Sequence, residues 1–154
     1  MQKDNLYSEI LTYAKTTREL NLLSEELDLL EGSLFRGEAG SFDSALASDV
    51  REEVASAIRN LLKNSGLDKG KLISDVKLEI ANLTHLKITM AYEPDSSVIS
   101  MIYTWAKENI AEKFVLDINS DPKILGGALI SWKGKYGDFS LRRKFEESFS
   151  YAGF

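Results

Sequence analysis

The sequence predicts an α+β protein: a helical N-terminal half followed by a small mixed β-sheet packed with two helices. Three observations carry this. Up to Leu83 the apolar residues recur three and four positions apart, the spacing of a helix face. From Leu86 the period drops to two, as Leu86, Ile88, Met90 and Tyr92 alternate with Lys87, Thr89 and Ala91. Asp121 to Phe145, DPKILGGALISWKGKYGDFSLRRKF, then reads in order as turn, strand, hairpin, strand, cap and helix. The expected boundary puts a long helix and two shorter ones in residues 1–84 and an αβ domain in residues 85–154.

The first element is predicted as one helix from Asn5 to Leu34. Leu6, Ile10, Tyr13, Thr17 and Leu20 step by four and three, and Leu23, Leu27, Leu30 and Leu34 resume after one short step. This is the spacing of a coiled-coil seam with one stammer. The stripe reads first as a helix packed in a small bundle, with a helix paired to a partner in a stalk as the alternative. Gly32, Gly37 and Gly40 mark a loop, and Phe42, Ala45 and Leu46 a brief turn. A second helix is expected from Asp49, with Glu52 at capping-box spacing, an apolar face of Val50, Val54, Ala57, Ile58, Leu61 and Leu62, and a stop at Asn64-Ser65-Gly66. A third runs from Asp68 to about Leu83.

In the second half Pro94 ends the first strand, and Asp95 or Ser96 caps a helix from Ser97 to about Ala111. Ile99, Ile102, Tyr103, Ala106 and Ile110 form its stripe, which Met101 and Trp105 widen. Lys113 to Ile118 is a second strand; if it runs parallel to the first, the crossover is right-handed. Pro122 blocks continuation of that strand, and Gly126-Gly127 permits backbone shapes that a side chain forbids. Ala128 to Trp132 turns back at Lys133-Gly134 to pair with Lys135 to Gly137. Asp138 and Ser140 then offer oxygen acceptors ahead of a helix with Leu141, Phe145 and Phe149 four apart.

The 154 residues suit one domain or two small ones, and a hydrophobic content of 44% supplies a core. The net charge of −5, from 19 basic and 24 acidic side chains, argues against global attraction to nucleic acid or anionic lipid. Cysteine is absent and His85 is the sole histidine, which excludes disulfides and thiolate or multi-histidine metal sites. The start, MQKDNLYSEI, lacks the apolar core of a signal peptide, and no apolar run approaches the ~20 residues that span a bilayer. The expectation is a soluble chain without direct membrane insertion.

The sequence spells no recognisable catalytic constellation. His85 stands at a strand edge without a nucleophile arrangement. The carboxylate pairs Glu25-Glu26, Glu52-Glu53 and Glu146-Glu147 are adjacent on helices and do not face each other, so they read as solvated faces. Gly126-Gly127 lacks the spacing of a phosphate cradle. No catalytic residue, cofactor or metal is expected. Binding residues are present: Lys133, Lys135, Arg142, Arg143 and Lys144 are opposed only by Asp138 and interleaved with Trp132, Tyr136, Phe139 and Phe145. The alternation of the aromatics assigns most of them to the core. Basic residues among aromatics also suit single-stranded nucleic acid on the 132–145 hairpin.

The ordered set Asp121-Pro122, Gly126-Gly127, Asp138, Ser140, Leu141 and Arg142 resembles the C-terminal signature of the delta subunit of F-type ATP synthases, the oligomycin-sensitivity-conferring protein of mitochondria. That family reads Asp-Pro, Gly-Gly, a hairpin, Asp-x-Ser, an aliphatic residue and a basic amphipathic terminal helix. The ten residues between Gly127 and Asp138 match without a gap. The resemblance runs from about Leu86 to Phe149. Before it, the family has a six-helix bundle where this sequence predicts about three helices, and Tyr13-Ala14-Lys15 faintly echoes a motif of that bundle. The resemblance implies a non-catalytic peripheral-stalk (stator) subunit of a proton-translocating ATP synthase. Its C-terminal domain would receive b-type stalk helices, and its bundle would grip N-terminal segments of alpha subunits. It further implies structural roles for the motif residues, partner contacts through Arg142, Arg143, Lys144, Phe149 and Tyr151, no nucleic-acid partner, and a peripheral position on the cytoplasmic face of a bacterial inner membrane. The E-type stator subunit of vacuolar and archaeal rotary ATPases is an alternative. Its hairpin is longer and ends in Asn-Thr-Leu.

Overall fold

The computed structural model describes residues 6–110 and 113–151, with the side chains of Phe145, Phe149, Ser150 and Tyr151 outside the description. The chain divides into two compact units, Met1–Leu83 and Thr84–Phe154. Helices fill the first and a four-stranded mixed sheet with helices fills the second.

The described residues of the first unit form five helices: α1 (Ser8–Leu11), α2 (Thr17–Leu34), α3 (Ser41–Ser48), α4 (Glu52–Ser65) and α5 (Lys69–Ala81). The single helix expected from Asn5 to Leu34 is thus two. The break is a capping box: the Glu19 N–H donates to Thr16 Oγ1 at 3.3 Å, while the Glu19 carboxylate accepts the Thr16 and Lys15 N–H groups at 3.1 and 2.8 Å. Those two N–H groups are turned away from any preceding helix, so α2 begins there. Leu20, Leu23, Leu27 and Leu30 are buried, with α2 against α3 and α5. The stripe is therefore the core of a bundle and not a free seam. Each fully buried Leu contributes about 2 kcal/mol of apolar burial.

The brief turn expected around Phe42 is the two-turn helix α3, with Phe42, Ala45 and Leu46 all buried; two turns are too short to show a period. Asp49 does not start the next helix. It caps the end of α3, and α4 starts at Glu52 behind Arg51, which has no capping side chain of its own. Glu26 of α2 supplies the cap instead. Its Oε1 accepts the Arg51 N–H at 2.9 Å and the Arg51 Nε–H at 2.8 Å, and its Oε2 accepts from Nη2 at 2.9 Å. The expectation that Glu25-Glu26 is a solvated face therefore fails at Glu26, which is 4% exposed. Its fork-on-fork bond is also what chiefly raises the Arg51 pKa. Asp68 caps α5, accepting from the Gly70 and Lys71 N–H groups. Tyr7 donates its hydroxyl to Asp75 Oδ2 at 2.8 Å, and Lys77 bridges Asp28 and Glu31.

The second unit contains β1 (Thr84–Met90), α6 (Ser96–Asn109), β2 (Phe114–Ser120), a short 3-10 turn (Pro122–Ile124), β3 (Ala128–Trp132), β4 (Lys135–Asp138) and α7 (Leu141–Tyr151). The strand order is β2-β1-β3-β4; β1 and β2 are parallel, with Leu86 opposite Leu116 and Ile88 opposite Ile118, and the other pairs are antiparallel. Asp95 caps α6 by accepting the Ser97 and Val98 N–H groups, each at 2.9 Å. Leu86, Ile88, Phe114 and Leu116 form the core with Ala106 of α6, and Ile99, Ile102, Tyr103, Ile110, Ile130 and Trp132 pack against it. The expected widening of the α6 stripe does not occur: Met101 and Trp105 are exposed. A helix on a narrow sheet buries one stripe, here Ile99, Ile102, Tyr103, Ala106 and Ile110, and Met101 and Trp105 fall on the far side of it. At the hairpin Lys133 and Gly134 have φ of 48° and 78°, the pair of positive angles that a two-residue turn needs to follow strand twist. No described helix is long and apolar enough to cross a membrane.

Candidate partner-binding surface

The junction between sheet and last helix starts at Asp121. Its N–H donates to the Met90 carbonyl at 2.7 Å, and its carboxylate accepts the Lys123 N–H at 3.0 Å. Pro122 opens the 3-10 turn, where a missing N–H is no loss. The chain then passes through Gly126-Gly127 directly against the link between β4 and α7. The Leu141 N–H donates to the Gly126 carbonyl, and the Phe139 N–H to the Ala128 carbonyl, both at 2.9 Å. At Gly127, φ is +77° and a Cβ would stand 2.3 Å from the Phe139 carbonyl oxygen; at Gly126 a Cβ would stand 2.6 Å from Leu141 Cδ1. Gly127 is needed for its backbone angle and its approach to backbone, whereas at Gly126 the neighbour is the end of a side chain.

On the facing side Asp138 Oδ1 accepts the Ser140 N–H at 2.9 Å, and Ser140 Oγ accepts the Arg143 N–H at 3.3 Å. Ser140 is 2% exposed and acts as the N-cap of α7. Hydrogen bonds from Ser140, aided by the Arg143 and Arg142 guanidinium groups, hold the Asp138 carboxyl below its usual range. The motif residues Asp121, Pro122, Gly126, Gly127, Asp138 and Ser140 thus line the two sides of one junction.

Arg142, Arg143 and Lys144 project from the first turn of α7 and are all exposed. The first two are paired within the helix: Arg142 Nε donates to Glu146 Oε1 at 2.9 Å and Arg143 Nε to Glu147 Oε1 at 2.7 Å. The basic cluster is therefore not opposed by Asp138 alone, because residues four apart on a helix meet. Phe149 and Tyr151 belong to α7 by backbone, but their side chains lie outside the described residues. The aromatics of the hairpin divide. Trp132 packs on the core, whereas Tyr136 and Phe139 are 65% and 63% exposed, so the expectation that most of these aromatics are core does not hold for the described ones. His85 is exposed on β1.

One surface was not anticipated. Ser100, Met101, Thr104, Trp105 and Glu108 of α6 line an open depression of about 410 Å³. The signal was in the sequence, since Met101 and Trp105 sit a step off the Ile102–Ala106 line, but a wide buried stripe and a second exposed one look alike until the width of the sheet is known.

No family model matches the sequence, and no curated protein matches it. Among solved structures, one chain of the Polytomella F-ATP synthase is similar at 22% identity, covering 46% of this chain and 91% of that chain, with a TM-score of 0.39. A chain of the Toxoplasma gondii mitochondrial ATP synthase hexamer is similar at 14% identity, covering 99% of this chain and 97% of that chain, with a TM-score of 0.38. Both likenesses are loose, and neither decides what this chain does.

Proposed function

We propose that this chain is a non-catalytic, delta-like peripheral-stalk subunit of an F-type ATP synthase, joining the catalytic head to a b-type stalk. The observation that supports this best is the junction itself. The residues that carry the family resemblance sit on two strands of chain that close on each other, with Gly127 against Phe139 and Gly126 bonded to Leu141. In this reading residues 85–154 receive the stalk helices through α7, with Arg142, Arg143, Lys144, Phe149 and Tyr151 at the contact. Residues 1–84 grip alpha-subunit N-terminal segments. The subunit sits peripherally on the membrane face that carries the head, the cytoplasmic face in a bacterium. The ten-residue spacing between Gly127 and Asp138 favours delta over the E-type alternative.

The test is binding of the full chain to the soluble C-terminal segment of the cognate stalk subunit, followed in real time. Saturable binding is expected, and reversing Arg142 and Arg143 to Glu should slow association without unfolding the chain, since rim charges act mainly on the on-rate. Absence of binding at ~50 µM, far weaker than specific protein pairs of ordinary size, would overturn the reading. Exposed Tyr136 and Phe139 beside Lys133 and Lys135 favour a second reading, stacking of single-stranded nucleic acid on the hairpin. Micromolar binding of a short oligonucleotide that falls steeply with salt would support it.

A further inference from the structure

The sheet ends in β2 on one side and in β4 on the other. An edge strand presents a row of backbone N–H and C=O groups with which a further strand can pair. On β2, Phe114, Val115 and Leu116 are buried, whereas Lys135 and Tyr136 of β4 are exposed, so the more open edge is that of β4. Successive residues of a paired strand turn their backbone groups to opposite sides. The Phe139 N–H donates to the Ala128 carbonyl, so Lys135, Gly137 and Phe139 face β3, and Tyr136 and Asp138 face outward. That outward row is partly taken by the chain itself. The Asp138 carbonyl accepts from Arg143 Nη1 at 3.4 Å, and the next outward N–H, that of Ser140, donates to Asp138 Oδ1 at 2.9 Å. Arg143 Nε is tied to Glu147 Oε1 at 2.7 Å, which holds the guanidinium beside the strand. The Tyr136 N–H and C=O and the Asp138 N–H have no partner among the described residues. An added antiparallel strand uses both groups of every second residue. Tyr136 offers both, and Asp138 does not while Arg143 sits on its carbonyl. With two outward residues on β4, one side chain thus decides between one complete pairing position and two.

We infer that Arg143 closes the β4 edge against strand addition by a second copy of this chain. A second copy is the occupant because its own β4 offers the same short row. Two such edges, paired antiparallel about Tyr136, exchange that residue's N–H and C=O directly, the same patch meeting itself across a two-fold axis. Extending the pairing to Asp138 needs the carbonyl that Arg143 holds, and Lys135 brings like charge to the approach. The contact between Arg143 and Asp138 is therefore inhibitory: it keeps the chain a monomer at this edge, and removing it opens the edge.

The test follows self-association of the full chain by sedimentation velocity at rising concentration, beside an Arg143→Ala variant. Alanine keeps the Arg143 N–H that Ser140 caps, so α7 retains its start. Arg143→Met, which keeps the stem and drops the donors, repeats the measurement if the alanine chain does not fold. The expected result is dimer formation by the variant at a concentration about tenfold or more below that at which the unaltered chain associates. Amide hydrogen exchange then locates the contact. The Tyr136 and Asp138 N–H groups should exchange freely in the unaltered chain and slow by roughly tenfold or more in the concentrated variant. Tyr136→Pro removes an N–H that β3 does not use, and in the Arg143→Ala chain it should restore the monomer. Association of Arg143→Ala no greater than that of the unaltered chain would overturn the inference. So would association that leaves those two amides fast, or that persists with Tyr136→Pro. None of these readouts involves a head or stalk subunit, so their failure leaves the proposed function where it stands.

Discussion

The Gly127 backbone lies so close to Phe139 that a Cβ on the glycine would stand 2.3 Å from the Phe139 carbonyl oxygen, and φ at Gly127 is +77°. This closeness ties the start of β3 to the chain entering α7. It also ranks the glycines. Gly127→Ala meets backbone that cannot step aside and should destabilise the Thr84–Phe154 unit by about 3 kcal/mol. Gly126→Ala meets the side chain of Leu141, which can rotate, and should cost less. Gly134→Ala meets nothing within 4 Å and carries only its turn angle, a loss of about 1 kcal/mol. Denaturant unfolding of the three variants checks the order. Equal losses at Gly127 and Gly134 would refute it.

Neighbouring carboxylates should behave oppositely. Glu26 is buried and holds both the Arg51 fork and the start of α4, so Glu26→Ala should cost about 3 kcal/mol, as for a buried pair broken on one side. Glu25→Ala, on the exposed face, should change stability by less than about 0.5 kcal/mol. Thermal and denaturant unfolding of the pair measures the contrast.

Tyr7 gives an alkaline signature. Burial first, and the bond to Asp75 second, push its hydroxyl up to about 12. A group raised in the folded state contributes stability that is complete below its unfolded value of about 10 and lost as pH climbs through the folded one. Unfolding free energy should therefore fall by on the order of 2 kcal/mol from this residue between pH 10 and 12. Tyr7→Phe should lose that part of the fall; an unchanged alkaline limb would contradict the assignment.

Acid acts on the two helix caps in the other direction. The Asp95 carboxyl is lowered by hydrogen bonds from Val98 and Ser97, and that of Asp138 by bonds from Ser140. Each contributes stability that is present above its unfolded value, near 3.8, and lost as pH falls through the lower folded value. Asp95→Asn and Asp138→Asn should each flatten the acid limb of a stability–pH curve below pH ~4 and leave its alkaline limb unmoved. Ser140→Ala should cost about 1 kcal/mol at neutral pH, the usual worth of an N-cap.

Much of the second unit was legible because its signals are local. The change of period at Leu86, the Asp95 cap, the Lys133-Gly134 turn and the Gly126-Gly127 pair each act within a few residues. The first unit was less legible. Thr16 and Glu19 spell a capping box, yet the apolar stripe runs through them, and the stripe suggested one helix where the cap makes two. The partner of Glu26 lies 25 positions away, so nothing nearby announced its burial. On the candidate surface, the four-residue spacing of Arg142 and Arg143 from Glu146 and Glu147 carries their pairing, although the basic run reads first as an unopposed cluster. The exposure of Met101, Trp105, Tyr136 and Phe139 depends on how far the sheet and its neighbours extend, which no short window of sequence contains.

In the proposed function this chain works as part of a rotary ATP synthase. The most direct measurement is native purification of the tagged full chain from its source cells, with quantitative mass spectrometry of what accompanies it. Head and stalk subunits of an F-type ATP synthase are expected in fixed proportion to the chain, retained through size-exclusion chromatography. Recovery of the chain free of those subunits, or with nucleic acid that is shed as salt rises, would contradict it.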